Sequence, residues 1–197
     1  MALKATDRQP ARDRLLAAAD ELFYSEGVHV VGVDRIVERA GVTKASLYNT
    51  FGSKEELVRA YLEEHMRRRQ KSIARILAAN TTPRRRILAV FAEMAAALAG
   101  SEFRGCRFIM ATAEARPGDA SEAAAEKYRA WLRSIFYEQA KKAGAREPVQ
   151  LSRRLLLLYD GAAVAGRLEK DRRGAAVATR SAAEALLDAA MPPKRRK

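Results

Sequence analysis

Apolar residues recur with helical spacing along almost the whole chain of 197 residues. In one short segment they follow the order i, i+3, i+4 and i+7, which marks one face of a helix of about two turns. Alternating apolar and polar positions, the pattern of half-buried strands, are nearly absent. The chain is therefore predicted to be all-α. The short segment comprises Val33, Ile36, Val37 and Ala40, and further helices are predicted at about 10–25, from Thr43, from Lys54 to about 77, after Pro83, and at 105–117, 121–142, 151–170 and 175–190.

Two of these helices are short and meet at a tight corner. Gly41 follows the last apolar position of the first, where a left-handed C-cap favours glycine. Thr43 then fits the N-cap of the second, in which Leu47 and Phe51 face inward at i and i+4. The pattern predicts a helix-turn-helix corner.

The opposite side of the second short helix carries side chains suited to a DNA groove. Lysine can donate to phosphate or guanine, serine and asparagine can bond to base edges, alanine can contact a thymine methyl group, and a tyrosine hydroxyl can bond to a phosphate. We therefore predict DNA contacts on this side. The residues are Lys44, Ala45, Ser46, Tyr48 and Asn49.

A third helix begins with Ser53 and Glu56 in the arrangement of a capping box. Lys54 lies in its first turn, although the macrodipole favours acidic residues at a helix N-terminus. An external phosphate, which the free amides of the same turn also attract, explains a cation at this position. Lys54 is therefore a further predicted DNA contact.

The segment GVTKASLYNTFGSKEEL resembles the DNA-binding segment of the tetracycline-repressor (TetR) family, and the preceding RDRLLAAADELFYSEGV resembles the family's first helix. The family usually has Ser or Thr where this chain has Gly32, a weaker N-cap by a few tenths of a kcal/mol. The resemblance implies a dimeric regulator that binds operator DNA and commonly senses a small molecule. It also implies major-groove and phosphate contacts by Thr43, Lys44, Ser46, Tyr48 and Asn49, with Lys54 on a phosphate.

The predicted architecture is an N-terminal three-helix head with the helix-turn-helix at 1–52, a connector helix from Lys54, and a helical sensor and dimerisation domain within 53–191. A basic tail follows at 192–197. The connector carries a polar run, Arg67 to Lys71, interpreted as a solvated face or a domain seam.

The formal net charge of +13 suggests a polyanionic partner, but residues 1–52 contain seven basic and seven acidic side chains. Charge therefore supports DNA binding only weakly.

The single cysteine, Cys106, excludes an intramolecular disulfide. It is interpreted as a small buried residue, with a redox sensor beside Arg104 and Arg107 as the alternative. No secretory segment and no apolar run of about 18 residues is present, so a cytoplasmic location without membrane association is expected.

Catalysis is not indicated by the sequence. The two histidines, His29 and His65, lie in different elements without an evident partner, and phosphate-loop and HExxH motifs are missing. No enzyme activity, cofactor or metal site is predicted. The prediction is a regulator, in the first place a repressor, released from a palindromic operator by an apolar or aromatic ligand. A constitutive dimeric DNA-binding protein is the alternative, followed by a small helical enzyme.

Two further sets of residues complete the sequence predictions. An aromatic and methionine set could form either a ligand cavity or ordinary core, and the resemblance favours the cavity. The last two helices are predicted to form half of an intersubunit four-helix bundle, with small residues at the seam. The predicted ligand residues are Phe91, Met94, Phe108, Met110, Tyr128, Trp131 and Tyr159. The predicted dimer residues are Leu155, Leu158, Ala162, Ala165, Gly166, Leu186 and Leu187.

Overall fold

The computed structural model describes residues 9–113, 115 and 118–191 of the chain. Within these ranges the protein consists of nine α-helices and no strands, which confirms the predicted all-α fold. The basic tail predicted at 192–197 lies outside the described residues. The helices are α1 (Ala11–Glu26), α2 (Val33–Ala40), α3 (Lys44–Phe51), α4 (Lys54–Ala79), α5 (Pro83–Ala99), α6 (Arg107–Thr112), α7 (Ala120–Lys142), α8 (Pro148–Leu168) and α9 (Arg172–Ala190).

The chain divides into two compact units. The first comprises Met1–Arg67 and Arg107–Ala125, and the second comprises Arg68–Cys106 and Glu126–Lys197. This division differs from the predicted boundary between residues 52 and 53, because the first half of α4 and the whole of α6 belong with the helix-turn-helix.

In the first unit, α1 packs against both α2 and α3. Its inward residues Leu15 and Phe23 are buried together with Ile36 and Leu47. Gly41 ends α2 in the left-handed conformation, at φ 62° and ψ 41°. The Arg14 guanidinium donates a hydrogen bond of 3.0 Å to the Gly41 carbonyl, so α1 also holds the corner between the two short helices.

The contacts of α4 and α6 explain why both belong to the first unit. The rings of Phe23 in α1 and Tyr61 in α4 meet edge to face, with centroids 5.4 Å apart. Arg107 at the start of α6 donates from Nε to Asp20 of α1 at 3.1 Å, and its guanidinium lies 3.6 Å from the centroid of the Tyr24 ring. A partly buried ion pair with a cation–π contact therefore joins α6 to α1.

In the second unit, α5 packs against α8 and α9, and α8 packs against α9. Thr82 caps α5, its hydroxyl accepting from the Arg85 amide at 3.3 Å, and Pro83 occupies the first helical turn, where a missing N–H costs nothing. In the described part of the chain, no helix combines the length and hydropathy needed to span a membrane.

Four of the seven predicted dimer residues lie in the core of the second unit. A side chain covered by its own chain is not available to a partner, so the prediction is wrong for these four. They are Leu155, Ala162, Gly166 and Leu187. The other three, Leu158, Ala165 and Leu186, are half-buried and stay predictions.

Gly166 explains this correction at the atomic level. A Cβ added to it would lie 2.8 Å from Cε1 of Phe103 and closer still to the side chain of Leu98. The space beside Gly166 is therefore occupied by side chains of its own chain, and no neighbouring subunit can pack there. Gly161, five residues earlier in α8, has no atom within 4 Å of an added Cβ.

Candidate nucleic-acid interface and sensor cluster

The helix α3 presents one buried residue to the first unit and most of its other side chains to solvent. Leu47 is fully buried, because α1 and α2 cover the inner side of α3. The predicted DNA-contact residues lie on the uncovered side, where Tyr48 is 44% exposed. Of that set, Thr43, Lys44, Ala45, Tyr48 and Asn49 are exposed and Ser46 is half-buried.

The N-terminus of α3 is capped as the sequence predicts. The Thr43 hydroxyl accepts from the Ser46 amide at 3.1 Å. The hydroxyl oxygens of Thr43 and Ser46 are also 2.9 Å apart, within hydrogen-bonding distance. If the Ser46 hydroxyl donates to Thr43, donation to a base requires exchange of this contact, whereas the Ser46 oxygen can still accept from a base amino group.

Lys44 carries an ion pair that the sequence did not predict. Its Nζ lies 2.9 Å from Oδ1 of Asp34 in α2, and both side chains are more than half exposed. The hydrogen bond and the charge of Asp34 raise the pKa of Lys44. A DNA phosphate would have to compete with Asp34 for this ammonium group.

The start of α4 provides the second element of the candidate interface. The Ser53 hydroxyl accepts from the Glu56 amide at 3.1 Å, which is half of the predicted capping box. Lys54 in the same turn is half-buried, and this partial burial lowers the pKa of its ammonium group. A cation beside unpaired helix amides has the chemistry of a phosphate site.

Comparisons with known proteins agree with this geometry. Residues 15–61 match the family model described as bacterial regulatory proteins of the tetR family. A TetR-family transcriptional regulator of known structure from Streptomyces coelicolor is 32% identical, with a TM-score of 0.88, and the match covers 92% of this chain and 96% of that one. The chain belongs to the TetR family.

Two curated relatives have related functions. The activator FasR of Mycolicibacterium smegmatis is 40% identical over 82 residues, 42% of this chain and 37% of FasR, so this chain spans well under half of FasR's length. The regulator LmrA of Bacillus subtilis is 29% identical over 141 residues, 70% of this chain and 74% of LmrA. The protein is thus a TetR-family transcriptional regulator with a DNA-binding helix-turn-helix.

The predicted ligand residues divide between the two units of this regulator. Phe108 and Met110 lie in α6 of the first unit, where the ring centroids of Phe108 and His65 are 5.5 Å apart. The other five lie in the second unit. They are Phe91, Met94, Tyr128, Trp131 and Tyr159.

Aromatic rings fill the part of the second unit that contains these five residues. Phe91 stacks on Phe136 with centroids 5.6 Å apart, and Tyr159 meets the same two rings edge to face at 6.0 and 6.2 Å. Tyr128 and Trp131 contact each other with centroids 5.8 Å apart. A separate open groove of about 350 Å³ lies between α7 and α8, and its lining residues were not among those predicted. They are Ala130, Arg133, Ser134, Tyr137, Val149, Ser152 and Arg153.

A polar cluster beside the rings was missed by the sequence analysis. Arg69 of α4 donates from one guanidinium nitrogen to Glu93 of α5 and from the other to the hydroxyl of Tyr159 in α8, each at 2.8 Å. Ser72 of α4 hydrogen-bonds to the other carboxylate oxygen of Glu93. Tyr128 of α7 hydrogen-bonds to Tyr159. We call these five residues the Arg69 cluster.

The position of Arg69 corrects the interpretation of the Arg67 to Lys71 run as a solvated face, whereas the boundary between the two units falls between Arg67 and Arg68, as the seam interpretation predicts. The Arg69 side chain is only 20% exposed. The sequence did contain a signal, because Leu62, Met66, Arg69 and Ile73 follow one another at i, i+4, i+7 and i+11. Arg69 therefore continues the buried stripe of α4.

Proposed function

We propose that this regulator is a cytoplasmic homodimer, not an enzyme, which binds a palindromic operator and represses transcription until a small molecule binds its second unit. The observation that supports the DNA-binding part most strongly is the uncovered side of α3. Lys44, Tyr48 and Asn49 extend into solvent from a helix whose inner residue is fully buried. These side chains supply phosphate and base-edge contacts, and Lys54 at the start of α4 supplies another phosphate contact.

The dimer in this proposal forms through the outward side of α8 and α9. Leu157, Val164 and Leu168 are 67%, 42% and 73% exposed, and Val177 of α9 is 69% exposed. Together with Gly161, the α8 residues follow i, i+4, i+7 and i+11, so they form one apolar stripe. An exposed apolar stripe on one helix is a candidate association site.

A second copy of the chain is the occupant that fits this stripe best. A two-fold axis makes one patch self-complementary, and helix-turn-helix proteins need a fixed spacing between their two recognition helices. Gly161 adds support, because the open space beside it permits close approach of a partner helix. This stripe replaces the buried residues of the original prediction.

Two alternatives within the family have specific support. FasR is named an activator, so activation by this chain is the alternative to repression. The close packing of Phe91, Phe136 and Tyr159 supports the constitutive alternative, in which these rings are only core. Ligand response is proposed ahead of the constitutive alternative because the polar Arg69 cluster among the rings has the chemistry of a binding site.

The salt dependence of DNA binding tests the proposed DNA interface. Each phosphate contact contributes about −0.9 to the slope of log affinity against log salt concentration. Lys54→Gln should therefore make the slope shallower by about 0.9 on both random and selected duplexes. The measurement is a fluorescence-anisotropy titration at several salt concentrations.

Lys71→Gln is the matched control, since Lys71 is an exposed lysine of the same helix in the second unit. It should leave the slope unchanged. An unchanged slope for Lys54→Gln, or an equal change for both variants, would contradict the proposed interface.

A further inference from the structure

The inner part of the Arg69 cluster contains an excess of hydrogen-bond donors. The Tyr159 oxygen accepts from the Arg69 guanidinium at 2.8 Å. Tyr128 and Tyr159 also hydrogen-bond to each other, and either phenol can be the donor. The two phenols have two hydrogens but share one hydrogen bond, and Arg69 can only donate. Among these three residues the donors therefore outnumber the acceptors, whichever phenol donates to the other.

The only carboxylate of the cluster lies on its outer side. The Glu93 side chain is 31% exposed and bonds to Arg69 and Ser72, whereas Tyr128 and Tyr159 are each 3% exposed. Burial raises the pKa of both phenols, so both remain protonated donors at neutral pH. An oxygen anion at the inner side would find donors and no competing carboxylate.

We infer that the second unit binds a small aromatic carboxylate whose oxygens accept hydrogen bonds from Arg69, Tyr128 and Tyr159. This inference rests on the ligand response proposed above and specifies the chemical class of the ligand. Arginine suits the role because its planar fork pairs with carboxylates in a fixed geometry.

The neighbouring rings provide the contacts for an aromatic body. Phe91 and Phe136 pack around Tyr159, and Trp131 packs against Tyr128. The rings are in mutual contact, so the ligand enters by displacing a side chain. Trp131 and Glu93 are both half-buried and can move outward, whereas Phe91 and Phe136 are fully buried.

A set of three probes with the same ring and different charge tests the inference. Trp131 is the only tryptophan of the chain and lies at the proposed site, so its fluorescence reports binding directly. Benzoate should bind at least tenfold more tightly than benzamide or benzylammonium. Benzylammonium or benzamide binding as tightly as benzoate would overturn the inference, as would no binding of any probe up to its solubility limit.

Variants of the cluster distinguish a binding role from a structural one. Arg69→Gln should abolish the preference for benzoate over benzamide, and Tyr159→Phe should reduce it. Arg69→Lys keeps the positive charge without the planar fork and should show an intermediate preference. Arg133→Gln is the control, because Arg133 is an exposed arginine of the same unit outside the cluster, and it should bind benzoate like the wild type.

Circular dichroism should show unchanged helicity for each variant that enters the comparison. If Arg69→Gln fails to fold, the preference for benzoate over benzamide is measured in Tyr159→Phe and Arg69→Lys instead. Wild-type preference for benzoate in the folded variants would overturn the inference.

A separate measurement of DNA affinity distinguishes failure of this inference from failure of the proposed function. Saturating benzoate that binds through Arg69 without changing DNA affinity would leave the carboxylate site intact and contradict the ligand-responsive function. Release of DNA by benzamide, with no preference for benzoate, would support the function and overturn the carboxylate site.

Discussion

At the scale of single residues, Lys44 of the candidate DNA interface already pairs with an acidic side chain. It pairs with Asp34 across 2.9 Å and lies on the exposed side of α3. Solvent screens an exposed ion pair of this kind, so a DNA phosphate can displace Asp34 from Lys44. Asp34 is therefore expected to weaken binding to any DNA sequence.

Asp34→Asn should raise affinity for random and selected duplexes by similar factors, up to about fivefold, because the carboxylate no longer competes with the DNA phosphates for Lys44. Anisotropy titrations at low salt measure both affinities. Glu38→Gln is the control, since it removes the same charge from α2 and Glu38 is not the partner of Lys44 in the ion pair. An equal gain in both variants would show that only net charge matters.

The exposure of the candidate DNA-contact side chains could be predicted from the sequence because capping fixes the rotation of a short helix. Thr43 at the N-cap and Leu47 as the buried residue determine which side of α3 faces solvent. The Lys44–Asp34 contact could not be predicted, because it joins two helices whose crossing geometry the pattern does not define. These residues stay predictions as DNA contacts.

At the scale of helices, α8 contains two glycines in opposite environments. Gly161 is open to solvent, whereas a Cβ at Gly166 would collide with Leu98 and Phe103. The sequence could not distinguish them, because apolar residues occupy several sides of α8 in the run Leu155 to Leu158. For the same reason, the predicted dimer residues included members of the core.

Gly166→Ala should destabilise the fold by about 1–3 kcal/mol, the typical cost of overpacking a core. Gly161→Ala should stabilise the isolated chain by up to about 1 kcal/mol, measured at protein concentrations low enough to dissociate the proposed dimer, because alanine is the better helix former and has room there within its own chain. Urea unfolding followed by circular dichroism measures both. Stability changes of the same sign in the two variants would contradict the assigned environments.

The limits of the helices were easier to predict than their faces. Caps and breakers such as Gly41, Thr43 and Pro83 act locally, and α2 and α3 begin and end where the pattern places them. The face of α4 that carries Arg69 depends on its neighbours, since Glu93 and Tyr159 are more than 20 residues away in sequence. The charge of Arg69 therefore favours a solvated face or a domain seam, although its spacing matches the core.

At the scale of the whole molecule, three buried tyrosines predict how stability responds to alkaline pH. Burial raises the pKa of Tyr61, Tyr128 and Tyr159 above the usual value of about 10. Below that pH the phenols are neutral in both the folded and unfolded chain, and their stabilising contribution is complete. As pH rises further, the unfolded chain ionises first, so stability falls until the folded pKa is passed.

The free energy of unfolding should thus decline above about pH 10, with each tyrosine contributing up to about 1.4 kcal/mol per pH unit. Tyr159→Phe should make the decline shallower, even though losing the hydroxyl lowers stability at neutral pH. Urea midpoints across this pH range measure the slope. Equal slopes for wild type and variant would mean that Tyr159 ionises alike in both states.

The two units also differ in how much of their structure could be predicted from the sequence. The helix-turn-helix carries a specific motif, whereas the second unit has only an apolar periodicity that filled and hollow cores share. The helix α6 belongs to the first unit because Arg107 hydrogen-bonds to Asp20, which lies 87 positions earlier in the sequence. No local sequence pattern encodes a contact over that distance. The palindromic operator and the two-fold dimer are predictions of the proposed function.

Footprinting on a duplex selected from a random DNA pool tests the central claim most directly. We expect a two-fold symmetric protected site with half-sites whole helical turns apart, about 10 base pairs or a multiple. Leu157→Glu, which places a charge on the proposed dimer stripe, should lose this protection at concentrations where the wild type retains it, whereas Val30→Glu, at an exposed valine of the first unit, should retain it. An asymmetric single half-site, or full protection by Leu157→Glu, would contradict the account.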